Sequence, residues 1–151
     1  MAMALAKETC KSLVQVRGSV ADPEWMMAEA QKIAKEGNDL IKEVRTLVDQ
    51  ELVAQGMNLF YEVGKGAVSK PRAILIHYVG RPEEADQVDF AIVGKGVTYD
   101  TGGLNIKQTG MMEKMYGDKG GSCAVLGALK GCLKLKVKKN IVFACGFAEN
   151  A

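Results

Sequence analysis

The run Asn140–Ala148, NIVFACGFA, is apolar at almost every position, and no other stretch limits the fold as tightly. A half-exposed strand alternates apolar and polar residues, so a continuous run of this kind calls for cover on both faces. Residues 121–134, GSCAVLGALKGCLK, read as a buried helix whose small residues permit close approach. Residues 87–94, QVDFAIVG, read as a strand ahead of it. Strand, helix, strand in that order implies an α/β fold: a mixed, largely parallel sheet flanked by helices, with at least one antiparallel pair. Pro71 introduces another strong strand, RAILIHYVG, and GRPEEAD is turn chemistry, so this strand and QVDFAIVG are expected to form an antiparallel hairpin. Little follows NIVFACGFA, so an exposed apolar edge is expected there, with poor stability or oligomerisation of the 151 residues alone.

The first part of the chain reads as alternating short elements. A helix is expected from residue 2 to about 14. Asp22 before Pro23 is an N-cap followed by proline at the first helical position, and it starts PEWMMAEAQKIAKEG. Met26, Ala30, Ile33 and Ala34 share one face of that helix, and Gly37 closes it. IKEVRTLV reads as a strand and DQELVAQG as a short helix ending at Gly56.

Several function classes are excluded or disfavoured. A net charge of +2 points to neither nucleic acid nor an acidic partner. The lysines at 134, 136, 138 and 139 read as a solvated helix end and loop. No apolar stretch is long enough to span a bilayer, and MAMALAKETCK lacks the order of a secretory leader. None of the four cysteines forms a C-x-x-C pair, which fits a reduced, cytoplasmic protein. The single histidine, His77, lies within an apolar run and reads as a strand residue hydrogen-bonded locally, so a His-rich metal site is excluded. Carboxylates, lysines and backbone must carry any chemistry.

Eight glycines fall between Gly94 and Gly121, interleaved with Lys95, Asp100, Lys107 and Asp118. A core strand running into a Gly-rich polar segment is how a sheet presents a functional loop at its carboxyl edge. Two aspartates with few histidines favour a hard or borderline divalent ion, and an amine can ligate only in its neutral form. Spacing alone fits a solvated loop as readily as a metal site. The related VGKG at 63–66 has different flanks, neither copy is a phosphate-binding loop, and Lys65 reads as a solvated turn residue.

VGKGVTYDTGGLNIK followed by MEKMYGDKGG closely resembles the signature of the leucine aminopeptidase (cytosol aminopeptidase) family: G-K-G after a strand, D-[ST]-G-G, a lysine seven residues beyond the Asp, then M-x-x-D-x-G-G. The helix around Trp25–Lys35, the segment GMNLFYEVGKGA and the strand PRAILIHYVG are also similar to the family, so the resemblance runs from about Leu13. It implies a metal-dependent aminopeptidase that releases amino-terminal residues, with leucine-type preference, from peptides by two-metal hydrolysis. Lys95, Asp100 and Asp118 match metal ligands, with Asp100 bridging to the second ion. Lys107 matches the catalytic lysine that polarises the scissile carbonyl, and Met115 falls where the family binds the substrate's first side chain.

The resemblance further implies two divalent ions (Zn or Mn, or else Mg), no other cofactor, peptide substrates, a homo-oligomer of hexamer type, and no nucleic-acid or membrane partner. Residues 1–20 would form a linker helix region and 21–151 the first half of the metallopeptidase domain. The family's second cluster, N-T-D-A-E-G-R, which supplies further ligands, is absent. A truncated or partial chain is therefore expected, and the alternative is an inactive relative with a structural or assembly role.

Overall fold

The computed structural model covers residues 1–151. Helix α1 spans Ala2–Gln15 and α2 Pro23–Lys35; strand β1 spans Ile41–Val48. Two short helices follow, α3 (Gln50–Ala54) and α4 (Asn58–Gly64), then β2 (Arg72–Val79) and β3 (Phe90–Asp100). A single turn, α5 (Thr109–Met112), precedes α6 (Gly120–Leu135) and the final strand β4 (Asn140–Asn150). The local signals work as expected. The Asp22 Oδ1 accepts from Trp25 N at 2.7 Å, capping α2, and Gly56 ends the α3 turn with φ of 74°.

The four strands lie in the order β1-β2-β4-β3, forming a mixed sheet flanked by helices. Only β3 with β4 is parallel; β1–β2 and β2–β4 are antiparallel. The expected β2–β3 hairpin does not form, because β4 lies between the two. β4 is the most apolar strand and occupies an interior position, while the Gly80–Asp89 connection passes its start. Asn140, fully buried, ties that passage together: its side chain accepts from Arg81 N and donates to Glu84 O, and its own N–H donates to Asp89.

This order also overturns the expected free apolar edge at β4. Both edges of β4 are paired, and the free edges belong to β1 and β3. One face of the sheet is dry. Ile74, Ile76 and Tyr78 of β2 and Ile141, Phe143, Cys145 and Phe147 of β4 pack under α2 and α6, with Leu13 of α1 joining the same core. The other face is covered only toward the strand ends near α3 and α4, where Leu47, Leu52 and Ala73 form a small second core and Phe60 reaches Gly146. Further along, two cross-strand rows stay partly open: Glu43–His77–Val142–Ala91 and Arg45–Leu75–Ala144–Val93, with Val93 77% exposed. So β4 is fully covered on one face and only half covered on the other. His77 sits in this row with Nε2 buried and unpartnered, so the expected local hydrogen bond is not made at that atom.

No helix is long and apolar enough to cross a membrane. The basic run lies where expected. Lys134 is in the last turn of α6, Lys136 ends the helix in the left-handed region with φ of 49°, and Lys139 reaches Asp89. Lys65 caps the exposed end of α4 and pairs with Glu62.

Candidate functional site

The Gly-rich segment gathers at the carboxyl ends of the parallel strands β3 and β4. Two backbone devices place it. Gly94 and Gly121 let α6 lie directly on β3: a Cβ at Gly94 would stand 2.7 Å from Gly121 O, and one at Gly121 would stand 2.9 Å from Lys95 N. Ser122 seals this contact, its hydroxyl donating to Gly94 O at 2.8 Å in the buried interior. Beyond the strand, Gly102 and Gly103 take φ of 95° and 68°, a turn that side chains resist, and this sends the chain back so that Lys107 N donates to Thr101 O.

The four charged signature residues meet in two pairs. Lys95 Nζ donates to Asp118 Oδ1 at 2.9 Å and lies 2.8 Å from Oδ2. Only Oδ1 accepts with hydrogen-bond geometry, which leaves Oδ2 buried without a hydrogen-bond partner. Lys107 Nζ donates to Asp100 Oδ2 at 2.8 Å. Asp100 Oδ1 accepts from Gly102 N at 3.0 Å and from Asn150 Nδ2 at 2.7 Å. Burial pushes the Asp100 carboxyl upward, but hydrogen bonds from Lys107, Gly102 and Asn150, together with the Lys107 charge, outweigh it and hold the group below the usual carboxylate range. No hydrogen bond or ion pair joins the two pairs to each other. Met115 begins the 3-10 turn Met115–Gly117 that leads into Asp118, and it is half-buried.

Two contributors were invisible in the sequence. Asn150 reaches Asp100 because the last residues of β3 and β4 are in parallel register, and such register has no local sequence signal. Lys119 is fully buried, and nothing in a Gly-rich polar stretch distinguishes a buried lysine from a solvated one. On the opposite side of Asn150, burial and then the nearby Asp22 push the Glu149 carboxyl upward.

The donor set suits a divalent cation in part. Two carboxylates and one amine stand at one edge, and Asp118 Oδ2, buried and without an aligned hydrogen bond, meets only the Lys95 ammonium at 2.8 Å, a place a metal ion could take. No group of three or more His, Cys, Asp or Glu side chains converges anywhere in the chain, so these residues do not form a closed cage. A cleft of about 440 Å³ between α2 and β1 holds none of the signature residues.

Comparison with known proteins places the fold and the sequence in one family. Residues 8–151 match the model of the cytosol aminopeptidase family, catalytic domain. A probable cytosol aminopeptidase of Aquifex aeolicus is 37% identical over 145 residues, which are 96% of this chain and 28% of that protein. The apo structure of leucyl aminopeptidase from Trypanosoma cruzi superposes with a TM-score of 0.89 at 31% identity, over 99% of this chain and 28% of that one. The bottromycin maturation enzyme BotP in complex with Mn gives a TM-score of 0.86 at 25% identity, over 99% of this chain and 31% of that one. This chain thus spans less than a third of the length of these relatives. With its signature residues folded into two ion pairs at one sheet edge, the chain belongs to the cytosol aminopeptidase family and carries part of that family's catalytic domain.

Proposed function

We propose that these residues form one part of a two-metal aminopeptidase centre acting on the free amino terminus of peptides with leucine-type residues. The observation that carries this reading is the Asp100–Gly103 turn, which returns Lys107 to within 2.8 Å of Asp100 at the end of the strand that also carries the Lys95 of the Lys95–Asp118 pair. Lys95, Asp100 and Asp118 would hold divalent cations, Zn or Mn in first place and Mg after them. Such ions supply positive charge that fixes the substrate amine and acidifies water.

This chain's own residues divide the remaining tasks. Lys107 uses one of its three N–H donors on Asp100 Oδ2, which leaves two to face charge developing on a scissile carbonyl. Asn150 and Gly102 N fix the orientation of Asp100 by occupying its other oxygen. Met115 would contribute to the pocket for the first substrate side chain. Assembly as a family-type homo-oligomer in the cytosol is part of the same proposal. Because no third carboxylate converges here, the 151 residues alone are expected to bind metal weakly and to show no significant turnover.

The test is calorimetric titration of the chain with Mn²⁺ and Zn²⁺, with leucyl-peptide hydrolysis measured in parallel. Asp118→Asn and Asp100→Asn should each abolish measurable uptake while leaving the fold intact. Uptake unchanged in both variants would overturn the reading. The alternative reading is a relative kept for assembly. It predicts no metal-dependent activity in any setting, whereas the first predicts activity abolished by Lys107→Ala once the remaining ligands are supplied.

A further inference from the structure

Lys119 has no exposed surface, yet it follows Asp118 directly in a polar, Gly-rich segment. A buried ammonium is costly unless each of its donors is used. Here all three are. Nζ donates to Val14 O at 3.2 Å, Val16 O at 2.7 Å and Tyr116 O at 2.5 Å. Two of those acceptors lie at the end of α1, where the last carbonyls of a helix lack intrahelical partners and carry its negative dipole end. The third belongs to the turn that delivers Asp118.

A second contact joins the same two places. The Arg17 guanidinium lies 4.2 Å over the Tyr116 ring, so the segment leaving α1 grips the turn by stacking as well as by charge. α1 is itself seated closely, because Gly127 of α6 leaves room for the backbone of Ala6 and a side chain there would collide with it. The turn needs such support. The only side chain on the Asp118 carboxylate is that of Lys95, itself 60% exposed.

We propose that Lys119, with Arg17 and the last carbonyls of α1, is a positioning clamp for Asp118, which makes α1 a working part of the site. The signature pattern leaves the residue after this aspartate open, and this chain fills it with a side chain that fastens the turn. The inference rests on Asp118 being a metal ligand, and its tests separate the two ideas.

The experiment compares Lys119→Met with Asp22→Ala, a capping variant that weakens α2 without touching the turn. Amide hydrogen exchange over residues 113–119 and Mn²⁺ affinity are measured in each. Lys119→Met should speed exchange in that window and weaken Mn²⁺ binding about 10-fold, the usual effect of losing a support to a ligand. Asp22→Ala should change neither. If Lys119→Met does not fold, Arg17→Ala takes its place, and the same window should exchange faster with a smaller loss of affinity. Wild-type exchange in the window would overturn the clamp, as would equal changes in Asp22→Ala. A wild-type chain that takes up no Mn²⁺ would count against the proposed function, and the exchange comparison would still decide the clamp.

Discussion

Gly121→Ala tests whether backbone contact between α6 and β3 sets the carboxyl-edge geometry. The added methyl would stand 2.9 Å from Lys95 N and 3.0 Å from Lys95 O, both rigid backbone atoms, whereas ordinary contact begins at 3.4 Å. Helix and strand must therefore part by about 0.5 Å at that point, in an interior packed too densely to absorb it. The Lys95–Asp118 contacts of 2.8 and 2.9 Å would then stretch toward the limit of a hydrogen bond. Overpacking of this kind costs about 1–3 kcal/mol. Alanine for glycine also returns about 0.4–1 kcal/mol by stiffening the unfolded chain.

The neighbouring Gly120 isolates the two effects, since a Cβ there meets nothing within 4 Å and its φ is not left-handed. Gly120→Ala should be stabilised by about 0.4–1 kcal/mol. The difference between the two variants should then equal the overpacking cost, a gap in Tm of roughly 2–12 °C for a chain of this size. Urea titration and thermal melts followed by circular dichroism measure it. Gly121→Ala as stable as Gly120→Ala would refute the interlock.

Three further outcomes are expected. Asp22→Ala removes the 2.7 Å cap on Trp25 N and should lower stability by about 1 kcal/mol in urea titration. The Asp89 carboxyl is held below its usual range chiefly by the Asn140 N–H, with Arg81 and Lys139 assisting against burial. A depressed folded-state pKa gives stability above the ordinary carboxylate range that is lost as pH falls through the depressed value. The Tm difference between wild type and Asp89→Asn should therefore be full at pH 7 and close under strongly acidic conditions, and a constant difference would contradict this. Burial pushes the Cys123 and Cys145 thiols up to about 12, so both should resist iodoacetamide at pH 8 until the chain is unfolded, as read by mass spectrometry.

Individual elements were largely legible, because they rest on local physics. The Asp22–Pro23 start, the Gly56 stop and the apolar runs of β2 and β4 each have a cause within a few residues. Strand order was not legible. A short connection between β2 and β3 suggests a hairpin, but β4 is better buried between them, and that gain is visible only once α6 has carried the chain across. The site divides in the same way. Lys95, Asp100, Lys107 and Asp118 stood out by the family signature and not by spacing alone, while their pairing depends on the left-handed Gly102–Gly103 turn and on the Gly94–Gly121 contact. Lys119 and Asn150 gave no local sign, since burial of the first and register of the second come from distant parts of the chain. His77 departed from its expectation, because its Nε2 is buried without the hydrogen bond that a strand histidine was expected to make.

The free edge of β3 links architecture to chemistry. Its backbone groups on the side away from β4 stand ready for another strand about 4.8 Å away. Any such strand, whatever polypeptide supplied it, would run beside Val93 and pass the Lys95–Asp118 pair two residues further on. A side chain it carried there would stand near Asp118, whose one side-chain partner is the exposed Lys95. Widening the sheet by one strand and adding the next ligand would then be a single geometric event, and metal uptake could report on docking.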